Sequence, residues 1–431
     1  MNLYTSEAVP AEPAAATSHT RAYAWLVFAL MFCLLLSDYM SRQAINALFP
    51  ILKAQWQMSD TQLGSISSIV PLTVGVLTLP FSIFADRWGR VKSIALMAAL
   101  WSLATLGCAI ATNYHEMFVA RIFVGIGEAA YASVGMAMLM GIFPKHLRST
   151  IAGGFTSAAA FGSVLGVSLS GVIAAHFGWR WSMGLMAIFG FVLVIIYSVV
   201  VTEHKLARAN PDGPGGTPVH GRAKLTPRSL FHGLFPSRSV TFAYVAGALQ
   251  IFIQGTVFVW LPSYLNRYWG MPVSKAALVA AGLVLVSGVG QLLCGVLTDR
   301  ISRDSTVKRW NMAICYCLLL GSLMEIAFRM PPGNLQLAFL APAVFFLASS
   351  FGTCSPIIAG ATSPAIHGSA FATMALFNNI LGLAAGPFLT GVIADAVGLQ
   401  VALRWLPVAA ILPFSAYLLG RGFHVAERKR R

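Results

Sequence analysis

The segment FSIFADRWGR at residues 81–90 closes one long apolar run, and CGVLTDRISR at residues 294–303 closes another. Each segment places an acid, an adjacent arginine and a second arginine three residues later at matching positions: Asp86, Arg87 and Arg90, then Asp299, Arg300 and Arg303. A turn repeated this closely in two distant parts of a chain indicates a duplicated unit. The sequence therefore predicts two related halves.

The composition places both halves in a lipid bilayer. The chain is 57% hydrophobic and only 10% charged, with a mean hydropathy of +0.74, whereas a soluble domain carries about 25% charged residues. A membrane-crossing helix needs about 20 apolar residues, and twelve runs are long enough. They are residues 23–50, 61–85, 93–112, 117–143, 150–175, 182–202, 239–266, 275–298, 310–328, 335–360, 369–396 and 401–422.

These runs predict an all-α membrane protein with twelve transmembrane helices in two pseudo-symmetric six-helix bundles. The expected boundaries are an N-terminal tail (1–21), a first bundle (22–202), a Gly-, Pro- and Lys/Arg-containing linker (203–237), a second bundle (238–422) and a basic tail (423–431). With both termini in the cytoplasm of a bacterial inner membrane, most of the 29 Lys and Arg residues fall in cytoplasmic segments, as the positive-inside rule requires.

The net charge of +15 is thus interpreted as a signal for orientation and for contact with acidic lipid headgroups, not as a nucleic-acid surface. The six cysteines lie inside apolar runs without metal-ligand spacing, and none of the nine histidines falls in the middle of a run. A phosphate loop, a dinucleotide fingerprint and a nucleophile–His–acid set are also missing from the sequence. We therefore expect no metal, no cofactor and no enzymatic activity.

Two motifs place charges where lipid would surround them. DYMSR (38–42) carries Asp38 and Arg42 one helical turn apart, and RIFVGIGEAAY (121–131) carries Arg121 and Glu128 two turns apart on one face. A charge at the bilayer centre costs from about 3 to more than 10 kcal/mol, so each needs a partner or a function. One interpretation is a pair of ion pairs that staple the first half together.

The alternative interpretation is proton coupling. Burial favours the protonated form of a carboxylate, while a neighbouring guanidinium favours the ionised form. An acid between these influences can take up a proton on one side of the membrane and release it on the other. Asp38 and Glu128 are the candidate proton carriers, with Arg42 and Arg121 as their partners and as ligands for an anionic substrate.

The repeated turn resembles the signature loop of the major facilitator superfamily, whose pattern is Gly-x-Leu-Ala-Asp-Arg-x-Gly-Arg-Lys. Ser82 replaces the first Gly in the first copy, and Gly295 retains it in the second. The resemblance implies that these turns help to lock the cytoplasmic side while the outside is open. The gating residues that it implies are Asp86, Arg87, Arg90, Asp299, Arg300 and Arg303.

The two charged motifs resemble the Spinster-like branch, which has Asp-Tyr-Met-Asn-Arg followed by Arg-x-x-x-Gly-x-Gly-Glu-Ala; Ser41 replaces the Asn. They are also similar to bacterial anion:cation symporters, in which the acid directly precedes the arginine. The superfamily resemblance implies that helices 1, 4, 7 and 10 line a central cavity. The candidate substrate-binding residues are Arg42, Arg121, Tyr39, Gln250, Gln254 and Asn378; for the amides, interhelical hydrogen bonding is the open alternative.

The sequence and these resemblances together predict a secondary active transporter that moves an organic anion or an amphipathic anionic molecule by alternating access, coupled to protons. Export of a lysophospholipid is the alternative, and a non-transporting receptor or a scramblase on the same fold is a further one. The expected partners are the anionic substrate, protons and membrane lipids, with the chain acting as a monomer.

Overall fold

A computed structural model describes residues 14–209, 232–303, 305–363 and 366–430. Within these ranges the chain forms twelve helices that are long and apolar enough to cross a membrane, and it forms no strand. The spans are α1 (Ala22–Trp56), α2 (Asp60–Trp88), α3 (Arg90–Ile110), α4 (Tyr114–Ile142), α5 (Arg148–Phe177), α6 (Trp179–Val200), α7 (Arg238–Trp269), α8 (Val273–Ile301), α9 (Thr306–Arg329), α10 (Asn334–Ala361), α11 (His367–Val397) and α12 (Leu399–Lys429). The prediction of an all-α, twelve-span membrane protein is confirmed.

Several helices run beyond their predicted ends. The first helix begins at Ala14, inside the expected tail, and continues through Pro50 to Trp56. A proline removes one backbone hydrogen bond, but in a membrane helix neighbouring groups can compensate for that loss. The last helix likewise continues to Arg430. Of the predicted linker, Glu203–Ala209 is helical, and residues 210–231 lie outside the described ranges.

The fourth span of each half is interrupted. The span α4 consists of Tyr114–Glu128 and Tyr131–Ile142, and α10 consists of Asn334–Phe345 and Ser349–Ala361. A helix break frees backbone groups that need partners in an apolar medium. Side chains from other helices can therefore form hydrogen bonds with the backbone at these two breaks.

Glycines let the first and fifth spans of each half approach closely. A Cβ on Gly166 of α5 would lie 2.5 Å from the carbonyl oxygen of Met40 in α1, and a Cβ on Gly386 of α11 would collide with the carbonyl of Phe252 in α7. In the same way, a Cβ on Gly127 of α4 would lie 2.6 Å from the backbone nitrogen of Trp101 in α3. The small residues thus serve close helix packing.

The two halves meet tightly at the end of the bundle that holds the α1–α2, α7–α8 and α11–α12 connections, here called the sealed end. A Cβ on Gly391 of α11 would collide with the backbone of Asp60 in α2, and one on Gly171 of α5 would collide with Ala277 of α8. Phe49 of α1 packs edge-on against Trp260 of α7, with ring centroids 5.5 Å apart.

The opposite end carries both copies of the signature turn and is called the signature end. Asp86 pairs with Arg90, and Asp299 pairs with Arg309, each at 3.4 Å and each within its own half. The carboxylates are largely exposed, with relative side-chain accessibilities of 56% and 66%. Arg87, Arg300 and Arg303 are exposed as well. The contacts between the halves described above therefore lie at the sealed end, whereas within the described ranges the signature acids pair only within their own halves.

The close approach of α8 to α10 within the second half gives a direct test of the helix packing at glycines. A Cβ on Gly290 would collide with the carbonyl of Phe345, whereas a Cβ on Gly282 of the same helix would meet nothing within 4 Å. Overpacking costs about 1–3 kcal/mol, and Gly-to-Ala replacement in a helix gains up to about 1 kcal/mol. We expect Gly290→Ala to lower the thermal unfolding temperature in detergent and Gly282→Ala to leave it unchanged or raise it. Equal unfolding temperatures for the two variants would contradict the packing.

Candidate functional site

The charges of α1 and α4 meet inside the first half. Arg42 donates from Nε and Nη2 to Oε2 of Glu128 at 2.9 and 2.6 Å, and its Nη2 lies 3.9 Å from Oδ1 of Asp38. The side chains of Asp38 and Glu128 are 3% and 0% exposed, and that of Arg42 is 11% exposed. Glu128 is the last residue before the break in α4, and its carboxylate faces Arg42 of α1.

One guanidinium thus lies near two buried carboxylates, with hydrogen bonds to Glu128 and a longer contact to Asp38. Oε1 of Glu128 and Oδ1 of Asp38 are buried without a hydrogen-bond partner. A buried polar atom without a partner costs free energy, and more so when it is charged. A proton on either acid, or a donor group of a ligand, would supply the missing interaction. We call Asp38, Arg42, Arg121 and Glu128 the charge cluster.

Arg121 is positioned differently from Arg42. Its side chain is buried and donates to backbone carbonyls: to Ile66 of α2 at 3.2 Å, and to Arg42 and Ser41 of α1 at 3.2 and 3.5 Å. Glu128 contacts Arg42 of α1 and does not contact Arg121, which lies on its own helix. Arg121 therefore ties α4 to α1 and α2 through carbonyl dipoles, and its charge has no carboxylate in direct contact among the described residues.

The aromatic candidate lies against the same guanidinium. Cζ of Arg42 is 5.0 Å from the ring centroid of Tyr39, within the range of a cation–π interaction. Tyr39 is half-buried. Arg42 is thus fixed by a carboxylate on one side and by an aromatic ring on another, which orients its remaining donors.

The candidate amides of the second half divide into two kinds. Gln250 is fully used: its Nε2 donates to Ser349 Oγ at 2.8 Å and to the carbonyls of Phe346 and Leu347 at 3.1 and 3.2 Å, and its Oε1 accepts from Tyr417 at 2.8 Å. These carbonyls belong to the break in α10. Gln250 therefore makes the interhelical hydrogen bonds that were the alternative to substrate binding.

Gln254 and Asn378 each retain an acceptor. Oε1 of Gln254 and Oδ1 of Asn378 are buried without a hydrogen-bond partner. Asn378 opens a π-helical turn, Asn378–Ala384, within α11; such turns occur frequently at functional sites. These two side chains remain candidates for accepting a hydrogen bond from a ligand in the second half.

A second charged group was not predicted from the sequence. At the sealed end Asp60 of α2 accepts from Arg267 of α7 at 2.8 and 3.0 Å and from Lys53 of α1 at 2.7 Å. Asp395 of α11 accepts from the backbone N–H groups of Asp60 and Thr61 at 2.7 and 2.8 Å. Each of these charged residues lies near the sealed end of its span, and the sequence shows that position. Which of them contact each other is decided only by the packing of the two halves.

Comparisons with known proteins agree with this architecture. The model of the Major Facilitator Superfamily matches residues 31–353. The sphingosine-1-phosphate transporter SPNS2 of Danio rerio is 25% identical over 387 residues, which cover 84% of this chain and 74% of the relative. The hexuronate transporter of Bacillus subtilis is 22% identical over 366 residues, covering 84% and 86%. The similar proteins thus include a relative of the Spinster-like branch and a transporter named for an organic anion.

A solved structure shows the same fold. The crystal structure of a bacterial homologue of the human lysosomal transporter Spinster, in an inward-facing and unoccupied conformation, superposes with a TM-score of 0.81. The two sequences are 17% identical, and the match covers 94% of this chain and 98% of that chain. The likeness therefore takes in both halves of the chain.

The contact between Arg42 and Glu128 predicts how stability responds to substitution. Removing one partner of a buried ion pair costs about 3–5 kcal/mol, because the other charge is left uncompensated. We expect Arg42→Gln to lower the thermal unfolding temperature strongly, and the double variant Arg42→Gln/Glu128→Gln to recover at least half of that loss. Arg87→Gln, at an exposed position, serves as the control. A double variant as unstable as Arg42→Gln would contradict a direct pairing.

Gln250 and Gln254, one helical turn apart on α7, form a matched pair for the amide assignments. Gln250→Leu leaves buried carbonyls of the α10 break without a donor, which costs about 1–3 kcal/mol. Gln254→Leu removes an amide whose carbonyl has no partner, so we expect little loss or a gain of stability. Thermal unfolding of both variants measures the difference. Equal destabilisation by the two substitutions would show that Gln250 does not brace the break.

Proposed function

Because this chain belongs to the major facilitator superfamily, whose model matches three quarters of it, and is a multi-pass membrane transporter, we propose that it moves an organic anion or an amphipathic anionic molecule coupled to protons. The observation that carries the proposal is the arrangement around Arg42: one guanidinium, held at mid-membrane, contacts Glu128 and faces Asp38. Each of these two acids has an oxygen without a hydrogen-bond partner.

The coupling follows from competition for Arg42. A substrate anion that binds the guanidinium weakens the contact between Arg42 and Glu128. The released carboxylate, buried and without its cation, favours the protonated form. Binding of the anion therefore favours binding of a proton, and binding of a proton favours binding of the anion. When the anion leaves, Arg42 returns to Glu128 and the proton is released.

The chemistry of the substrate follows from the groups that the site offers. The two relatives described above are named for sphingosine-1-phosphate and for hexuronate, and both molecules are anions that also carry hydroxyl groups. Arg42 and Arg121 bind the acidic group of the substrate. Arg121 exchanges one of its bonds to a backbone carbonyl for this contact. Gln254 and Asn378 offer buried acceptors for hydroxyl or amine donors. We propose a hydroxylated anion as the substrate.

Transport proceeds by rocking of the two six-span bundles, expected over residues 22–202 and 238–422, about this site. In the proposed orientation both termini and the signature end face the cytoplasm of the inner membrane, in accordance with the distribution of Lys and Arg. The present conformation is then closed toward the outside. The signature turns, which lie exposed in their own halves, would engage the opposite half when the cytoplasmic side closes. The transporter works as a monomer.

Export of a lysophospholipid is the second candidate. The observation that favours it is the similarity to the sphingosine-1-phosphate transporter, which covers 84% of this chain. Such a substrate carries a phosphate group where a hexuronate carries a carboxylate, and it adds an acyl chain. The two candidates share the charge cluster and differ in whether an apolar tail is required.

Transport by proteoliposomes under an imposed pH gradient tests the proposal. The candidate substrates are glucuronate, sphingosine-1-phosphate and a lysophosphatidate, each measured as a radiolabelled compound. We expect one class to accumulate in response to the gradient. Asp38→Asn and Glu128→Gln should lose this accumulation while keeping gradient-independent exchange, since a neutral side chain cannot release a proton. Arg42→Gln should lose substrate binding.

Glu325→Gln is the control, because Glu325 pairs with Arg329 on the same helix, away from the charge cluster. It should transport as the parent does. If both Asp38→Asn and Glu128→Gln still concentrate substrate in response to the gradient, the proposed proton carriers are wrong. Accumulation of glucuronate alone would exclude the lipid candidate, and movement of lysolipids alone would exclude the small acid.

A further inference from the structure

The charged group at the sealed end joins helices from both halves of the molecule. Asp60 belongs to α2 and Lys53 to α1, whereas Arg267 belongs to α7 and Asp395 to α11. Arg267 approaches Asp60 with two nitrogens, one on each carboxylate oxygen. Asp395 binds both free N–H groups at the start of α2. Four hydrogen bonds to charged groups therefore cross from one half to the other at this point.

We propose that Asp60, Arg267 and Asp395 form a latch that holds the sealed end closed and whose rupture is a required step when the two halves separate there. The proposal does not depend on which substrate is carried or on which residues carry the proton, because it requires only that the two halves separate at the sealed end. None of its members lies in the charge cluster.

The physical setting makes these bonds strong. Asp60 is 4% exposed, and its side chain contacts two cations. Bonds between charged and buried groups are worth more than exposed ion pairs, which are weakened by water and salt. Asp395 is an exposed residue, and its bonds gain strength differently, because its carboxylate lies at the N-terminus of a 29-residue helix, where negative charge is favoured. With Lys53 and Arg267 against Asp60 and Asp395, the group is neutral overall.

The two halves are also in close backbone contact around the latch. A Cβ on Gly391 would collide with the backbone of Asp60, and a Cβ on Gly64 would lie 2.7 Å from the carbonyl oxygen of Pro387. The backbones of α2 and α11 therefore touch directly at this end. Because the latch and this close contact coincide, separation of the halves has to break the polar bonds and the apolar packing together.

The span α1 links the latch to the charge cluster. Lys53 follows Arg42 by eleven residues, which is three helical turns and returns to the same face. One face of a single helix thus contacts Glu128 at mid-membrane and Asp60 at the sealed end. A tilt of α1 that follows a change of partner at Arg42 would also displace Lys53 and thereby weaken the hold on Asp60.

Distance measurement between spin labels tests the latch without any substrate. The six native cysteines are replaced by Ser or Ala, and labels are attached to Ala54→Cys in the first half and Asn334→Cys in the second, both at exposed positions at the sealed end. The full chain is reconstituted in liposomes. The parent should show one dominant, short distance. In Arg267→Gln/Asp395→Asn the ratio of the longer to the shorter distance should rise by roughly a hundredfold, tenfold for each lost set of charged hydrogen bonds.

The matched control is Glu325→Gln/Arg329→Gln. It removes one acid and one arginine near the same end of the molecule and leaves the net charge unchanged, but its ion pair lies within α9 alone. We expect this variant to keep the distance distribution of the parent. Arg267→Lys, which retains the charge but loses the two-nitrogen contact, should give an intermediate population. A distribution for Arg267→Gln/Asp395→Asn equal to that of the control would overturn the proposal.

Misfolding is distinguished by the thermal unfolding curve and by a pair of labels within one half, whose distance should stay constant in all variants. If the distance within one half changes together with the distance between halves, the residues have a general structural role and the latch proposal fails.

Discussion

The structure depends on the cost of placing charge in a medium that cannot solvate it. Arg42 meets that cost by contacting Glu128, by facing Asp38 and by stacking on Tyr39. Arg121 meets it differently, through three backbone carbonyls of α1 and α2. The contact of Arg42 with Glu128 and the bonds of Arg121 join different helices, so the same bonds that compensate charge also fix how α1, α2 and α4 are arranged. The remaining unpartnered oxygens on Asp38 and Glu128 mark where this compensation is incomplete.

The two halves use the same construction with different chemistry. In the first half a side chain of the first span, Arg42, reaches the acid at the break of the fourth span. In the second half a side chain of α7, Gln250, reaches the freed carbonyls at the break of α10. The amide is fully hydrogen-bonded and neutral, so it braces the break without a titratable group. The proposed proton carriers therefore lie in the first half alone, and the second half contributes two buried acceptors without a hydrogen-bond partner, on Gln254 and Asn378.

The two ends of the molecule are held by different kinds of contact. At the sealed end, bonds from Arg267 and Asp395 to α2 coincide with direct backbone contact between α2 and α11. At the signature end the repeated acids are exposed and pair only within their own halves among the described residues. The contacts between the halves thus close one end, and in the described part of the chain the signature turns do not join the halves at the other. In the proposed mechanism this is one of the two states that alternating access requires.

The sequence by itself determined the class of fold and the content of the charge cluster. Twelve apolar runs, a repeated turn and two charged motifs were enough for this prediction. A bilayer admits helices of a narrow range of lengths and makes a charge without a partner or a function costly. Tertiary structure decided the partners. Glu128 binds Arg42 of α1 and not Arg121 of its own helix, Gln250 is a brace, and Asp60 meets Arg267 across more than two hundred residues of chain. Helical periodicity places side chains on a face, but the rotation, tilt and breaks of neighbouring helices determine which face is opposite, and these follow from packing of the whole bundle.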